Sequence, residues 1–252
     1  MLSPALKSIH DAVYVLTISR AEDRQENVRT ELGEGNFEFV YGVDKRDVSL
    51  EQFVSDGIYD EALARRTDRR NKAMTLGHIC CSLGHRMIYE KFLESGAERA
   101  LIFEDDVVRF AVDEVVIAEM VAAVPEDADL IYWGWEGGGY RPAWGGVKIA
   151  LYHVQHALGL LRYNHTMIRN LYSQPYNDHF DVAGKHFLAH SYTVNRRAAE
   201  ALLKWNTPVK LNADNALIYA VMNVDVRGYL ARKQLFGQRS ADKNDPMATL
   251  TA

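Results

Sequence analysis

In ALIFEDDV, residues 100–107, four apolar residues run directly into Glu104, Asp105 and Asp106. An unbroken apolar run of this kind, closed abruptly by charge, is the pattern of a strand covered on both faces, because a half-solvated strand would alternate. Strand side chains alternate in direction, so Glu104 and Asp106 are expected to share one face and Asp105 to point the other way. Two carboxylates at the carboxyl end of a buried strand make half of a site for a hard cation. Open α/β sheets also keep their ligands beyond that end. Solvated turns and helix caps use similar acidic triplets, so the flanking segments have to decide between the readings.

Upstream, residues 76–92 (LGHICCSLGHRMIYEKF) carry a helical stripe of Ile79, Leu83, Met87 or Ile88, and Phe92, with His78, Ser82 and His85 opposite it. Before that, AVYVLTI (residues 12–18) reads as a strand. Ser19 and Glu22 form a capping box that would start a helix reaching about Leu32. FEFVYGV (residues 37–43) reads as a second strand, and no glycine fingerprint links the two. Residues 44–75 are polar, with a basic run of Arg65, Arg66, Arg69, Arg70 and Lys72 that reads first as a solvated helix or loop and second as a phosphate contact.

Downstream, a helix is expected at about residues 113–123, and DLIYWGW (residues 129–135) is the next strand. Residues 136–185 hold a glycine run (Gly137, Gly138, Gly139) and many aromatics without clear periodicity, as binding loops often do. FLAHSYTV (residues 187–194) is a strand, after which Asn195 caps the helix RRAAEALLKW. A helix at about residues 215–222 and a strand around 224–230 follow. This alternation implies one α/β domain with a mainly parallel central sheet flanked by helices.

At 252 residues with 48% hydrophobic and 25% charged composition, the chain can bury a sizeable core. The net charge of −5 argues against a nucleic-acid partner. No apolar run is long enough to span a membrane and no secretory signal layout is present, so a cytoplasmic protein with at most peripheral membrane contact is expected. The two cysteines, Cys80 and Cys81, are neighbours in a helical pattern and read as small buried side chains without a disulfide.

Five blocks, VYVLTISRAEDR (13–24), FEFVYGVD (37–44), LGHICCSLGHRMIYEKF (76–92), ALIFEDDV (100–107) and AHSYTVNRRAAEALL (189–203), occur in one order. Together they resemble glycosyltransferase family 25, which includes lipooligosaccharide and procollagen galactosyltransferases. The resemblance spans roughly residues 12–220. It implies a nucleotide-sugar-binding fold of the GT-A type, with a donor half at about residues 12–135 and an acceptor half at about 136–235. It further implies inverting transfer of a hexose, galactose or a relative, from a UDP-sugar to a saccharide or glycolipid acceptor, with Mn²⁺ or Mg²⁺. On the matching positions, Arg20, Asp23, Arg24 and Asp44 belong to the donor side and Glu104, Asp105 and Asp106 to the metal, Glu104 and Asp106 as its ligands; Ser19, His78 and Asp105 are further candidates for donor contact. His78, Cys80, Gly84 and the pair Thr17-Ile18 depart from the family pattern, which bears on donor or acceptor choice.

Inverting transfer needs a base near the attacking hydroxyl. Asp214, just before the last expected helix, is the candidate, with His85 as a second catalytic group facing the cleft. Capping by Asn212 or Asp214 is an equal reading of that segment, and Glu136, Asp178 and Asp181 compete for the role. Among the crowded histidines 153, 156, 165, 179, 186 and 190, only His190 is placed to reach a metal or phosphate, against an ordinary core role. Trp133, Trp135, Tyr140 and Trp144 are a candidate sugar platform. Two rival functions fit the same residues: a metal-dependent phosphoester or sugar-phosphate hydrolase, and a non-catalytic sugar-nucleotide-binding member of the family.

Overall fold

The computed structural model describes residues 1–239 except 70, 138 and 188. The chain begins with α1 (Pro4–Lys7), β1 (Ala12–Thr17), α2 (Glu22–Leu32), β2 (Glu38–Tyr41), α3 (Leu50–Ser55), α4 (Glu61–Thr67), α5 (Leu76–Ser95), β3 (Arg99–Glu104) and β4 (Val107–Arg109). Next come α6 (Glu114–Ala122), β5 (Leu130–Tyr132), α7 (Gly145–Ala157), α8 (His165–Arg169), β6 (Gln174–Pro175) and β7 (Phe180–Val182). It closes with β8 (Ser191–Asn195), α9 (Arg196–Trp205), α10 (Ala213–Met222), β9 (Gly228–Ala231) and β10 (Phe236–Gln238).

Among the described residues, eight strands form one sheet in the order β2-β1-β3-β8-β5-β9-β7-β6. β1 is parallel to β2 and β3, and β5 is parallel to β9. β8 runs against β3 and β5, and β7 against β9 and β6. Followed across the sheet, every described strand except β7 and β8 shares one direction, so the α/β fold has the mainly parallel central sheet expected, with helices on both faces.

The apolar run of β3 has the predicted cause. Ala100 and Ile102 pack with Ile88, Tyr89 and Phe92 of α5 and Ala198 and Leu202 of α9. Leu101 and Phe103 face the opposite side, with Leu6, Val28, Leu32 and Met120. All four strand residues are fully buried. Burying side chains as large as Ile102 and Phe103 stabilises the fold by about 1.5–3 kcal/mol each.

The structure differs from the sequence reading in four places. β3 ends at Glu104, and Asp105 and Asp106 lie in a turn before β4, so strand alternation does not reach them. No capping box forms at Ser19, because α2 starts three residues later with Ala21 as its N-cap and no side-chain cap bond. Gln25 instead donates from Nε2 to the carbonyls of Ile18 (3.0 Å) and Ser19 (3.4 Å). The segment at 136–185, read as irregular, contains α7 and α8, whose apolar spacing is masked by apolar residues on more than one face. Finally, α5 is buried on more than one side: His85 turns to Glu104 and Tyr192 of the sheet, Ser82 donates to the Leu211 carbonyl before α10, and Ile79 packs with Phe53, Tyr59 and Val209. Arg70 of the basic run, Gly138 of the glycine run and Leu188 of the expected 187–194 strand lie outside the described residues.

Candidate functional site

β1, β2 and β3 end side by side, and beyond their carboxyl ends lies a cleft of about 310 Å³. β1 contributes Thr17 and, just beyond it, Ile18 and Arg20; the loop after β2 contributes Gly42 to Lys45, and β3 contributes Glu104 to Asp106. The first turns of α5 (Gly77, His78, Cys80, Cys81) and α10 (Asn212, Ala213, Asp214) close the other wall, with Gln238 from β10. A parallel sheet brings these distant segments together because each strand delivers its following loop to the same edge.

The carboxylate turn is held from four sides. Asp105 is buried and accepts from Thr17 Oγ1 and from Arg24 Nη1, each at 2.7 Å. Burial pushes the Asp105 carboxyl up, and the charge and hydrogen bond of Arg24, with that of Thr17, offset part of the rise. From α2, buried Asn27 donates through Nδ2 to the carbonyls of Asp105 (3.3 Å) and Val107 (2.9 Å). From the C-terminal side, β10 pairs with β4, and the Arg239 amide donates to the Asp106 carbonyl at 2.8 Å. Asp105 therefore faces the cleft with its neighbours, contrary to the alternation expected of a longer strand.

Glu104 is reached from α5. His85 Nε2 lies 3.2 Å from Glu104 Oε1, and His85 Nδ1 lies 2.7 Å from Tyr192 Oη, which is itself 2.7 Å from Tyr89 Oη. Burial pushes the Glu104 carboxyl up, but the hydrogen bond and charge of His85, with His190 and Arg24 behind them, outweigh it and hold Glu104 below the ordinary carboxylate range. His85 is buried and points at a carboxylate, yet it does not itself line the cleft. Its contacts are those of a group that orients Glu104.

The other sequence-selected residues divide. Arg20 pairs with Asp44 through Nε and Nη2, and that hydrogen bond is the first cause of the lowered Asp44 carboxyl. Both line the cleft, as does half-buried His78, whose Nδ1 sits 3.0 Å from Thr75 Oγ1. Asp214 lines it too, in the first turn of α10, where the cap is made by Asn212 accepting from the Asn215 amide. Ser19 is exposed and outside the lining. His190 is buried with Nε2 3.4 Å from the Phe236 carbonyl, beside Gly134, and does not reach the cleft surface.

The competing carboxylates lie elsewhere: Asp181 is buried and paired with Arg232 at 2.7 Å, and neither Glu136 nor Asp178 lines the cleft. The aromatics form no common platform. Trp133 is core and donates from Nε1 to Thr193 Oγ1, Trp135 and Tyr140 enclose His186, and Trp144 stands exposed at the start of α7. Of the basic run, Arg65 pairs with Glu61 and Arg69 stacks on Tyr152 and Tyr163, so neither contacts the cleft. Sequence reasoning missed Asn27, Lys45 and Gln238. Asn27 looks like any polar helix residue until tertiary packing buries it, Lys45 sits one residue past Asp44 in the loop after β2, and Gln238 reaches the site only because β10 returns beside β4.

Glu104, Asp106 and Asp214 are the cleft carboxylates that suit a hard cation, since both Asp105 oxygens already accept protein donors. Among the described residues, the tightest group of three ligand atoms is instead Cys81, His85 and Glu104, within 4.8 Å of one another. Burial raises the Cys81 thiol well above its ordinary range, and a thiol, an imidazole and one carboxylate form a softer ligand set than the all-oxygen set a hard cation takes.

The chain is 32% identical over 131 residues to a glycosyltransferase 25 family member from Aedes aegypti, covering 48% of this chain and 21% of that protein. It is 30% identical over 134 residues to the probable inactive glycosyltransferase 25 family member 3 of Bos taurus, covering 49% and 22%. The chain thus aligns with about a fifth of the length of these curated relatives. Mannose-1-phosphate geranyltransferase from Thermus thermophilus overlaps 90% of this chain and 75% of its own, at a TM-score of 0.34 and 13% identity. The family model for glycosyltransferase family 25 (LPS biosynthesis protein) matches residues 10–217, and on that extent the chain belongs to glycosyltransferase family 25.

Proposed function

We propose that this chain is a GT-A-type glycosyltransferase domain that moves a hexose, galactose or a close relative, from a UDP-sugar to a saccharide or glycolipid acceptor. The observation that carries the reading is one cleft in which Glu104, Asp105 and Asp106 meet Arg20, Arg24 and Lys45 at the ends of β1, β2 and β3. The diphosphate of a nucleotide sugar carries two negative charges and gains a third on the departing oxygen, and guanidinium and ammonium groups across from carboxylates suit both the anion and its counter-ion. Mn²⁺ or Mg²⁺ held by Glu104 and Asp106 would neutralise charge on the departing diphosphate.

Each residue then has a task. Arg20 and Lys45 contact the diphosphate, with Asp44 setting the Arg20 guanidinium. Arg24 fixes the carboxylate turn, and His85 orients Glu104. Asp214, relieved of capping by Asn212, takes the proton of the acceptor hydroxyl as its oxygen attacks the anomeric carbon from the face opposite the diphosphate, with inversion. His78 borders the donor. Residues of about 12–135 serve the donor and about 136–235 the acceptor.

A second reading has one observation in its favour: the similarity to a relative described as probably inactive. In that case the same cleft would bind a sugar nucleotide without turnover. Incubation with a panel of nucleotide sugars, Mn²⁺ and saccharide acceptors, following nucleoside diphosphate release, separates the two. Acceptor-dependent release supports transfer, and calorimetric binding without release across the panel supports the binding protein.

A further inference from the structure

We propose that α7 is a bilayer-docking element, through which the domain rests on an anionic lipid surface. Its inward side is ordinary: Tyr152 is buried with Tyr163, Leu171 and Tyr172, and Arg69 donates to Tyr152 Oη at 2.5 Å. The outward side is not. Trp144, Val147, Leu151, Val154, Leu158 and Leu160 are each at least 51% exposed. At spacings of three and four residues, the helical members fall on one stripe, and the 13-residue helix extends it over about 20 Å. Scattered exposed apolar residues need no explanation, but a contiguous stripe marks a contact surface.

Charge identifies the occupant. The whole chain carries −5, yet no Asp or Glu occurs between Glu136 and Asp178, a segment that holds Arg141, Lys148, Arg162 and Arg169. The three arginines are exposed, and half-buried Lys148 places its ammonium at the edge of the stripe, 5.5 Å from the centre of the Trp144 ring and 5.6 and 5.7 Å from those of Tyr152 and Tyr172. An apolar helical face, an exposed tryptophan at one end and a surrounding segment, residues 137–177, whose charged residues are all basic are the features of helices that lie in the plane of an anionic bilayer surface. No helix among the described residues is long and apolar enough to cross a membrane, so attachment from one side is what this element can do. The inference concerns a face remote from the cleft lining and holds for either reading of the cleft.

The test uses the full chain and vesicles of phosphatidylcholine with or without about a third phosphatidylglycerol. Co-sedimentation is expected with the anionic vesicles, weakening as salt rises from about 50 to about 500 mM because the basic residues are screened, with flotation on pure phosphatidylcholine much weaker. The pair Leu151→Glu and Val154→Glu, on solvent-facing positions, should reduce binding by at least about tenfold with an unchanged circular dichroism spectrum. Should that variant fold poorly, the parent's Trp144 emission decides: a blue shift and quenching by brominated lipid, both lost in Trp144→Phe, support the docking. Absence of binding to anionic vesicles at the lowest salt, or equal binding by the Glu variant, overturns it. So does a dimer in sedimentation velocity that the Glu variant dissociates, because the stripe would then cover a second copy.

Discussion

Replacing Arg24 by methionine keeps the length of the apolar stem and removes the guanidinium from a buried pair. Arg24 and Asp105 are 12% and 8% exposed, 2.7 Å apart, and they join the first turn of α2 to the end of β3. Taking one partner from such a pair strands the other charge, which costs about 3–5 kcal/mol. Thr17 still donates to Asp105 Oδ2, so about 3 kcal/mol at pH 7 is expected. Burial already raises the Asp105 carboxyl above its unfolded value, and without Arg24 it rises further. A carboxyl raised in the native state takes its proton more readily folded than unfolded, so acidification must stabilise the variant relative to the parent. The deficit should shrink as pH falls below 7 toward the ordinary carboxylate range near about 4. Urea unfolding followed by circular dichroism at pH 7 and pH 5 measures both effects, and adding Asp105→Asn to Arg24→Met should recover part of the loss. A cost below about 1 kcal/mol, or a double variant no more stable than the single one, would refute the buried-pair account.

Asp106→Asn should lower transfer by at least about two orders of magnitude while leaving the fold intact, and chelation of the parent should do the same with recovery on Mn²⁺; activity that survives both excludes a cation at this turn. His186, buried between Trp135 and Tyr140, is pushed down to about 4 by burial, below its unfolded value near 6.5. Its contribution is complete above pH 6.5 and lost as pH falls toward 4, so the parent should lose about 2 kcal/mol more than His186→Leu between pH 7 and pH 5 in urea titrations. Parallel pH profiles for the two would contradict this. Gly134→Ala should destabilise by about 3 kcal/mol, because the added Cβ would lie 2.3 Å from the Phe236 carbonyl and 2.2 Å from His190 Nε2. A thermal midpoint within about 2 °C of the parent would show that β10 can give way.

Local sequence determines what only local physics requires. The apolar run at 100–103 makes a strand buried on both faces whatever its neighbours are, and Thr75, Asp113, Asn195 and Asn212 cap their helices because their short side chains reach a backbone amide two or three residues on. The βαβ order likewise implied a mainly parallel sheet with a site at its carboxyl edge, and the carboxylates and arginines named from the five blocks do meet there. Tertiary structure decided the rest, because those features depend on contacts between distant residues. The direction of Asp105 follows from a strand ending at Glu104, two residues before its charges end, in a turn clamped by Asn27 and Arg239. His85 turns to Glu104 because α5 packs on β3, and His190 turns from the cleft to the Phe236 carbonyl because β10 returns beside it. The exposed stripe of α7 escaped the periodicity reading for the same physical reason: Lys148, Gln155 and His156 fall on the half-buried side with Tyr152 while Val147, Leu151 and Val154 face out, an inversion of the usual pattern that only packing reveals.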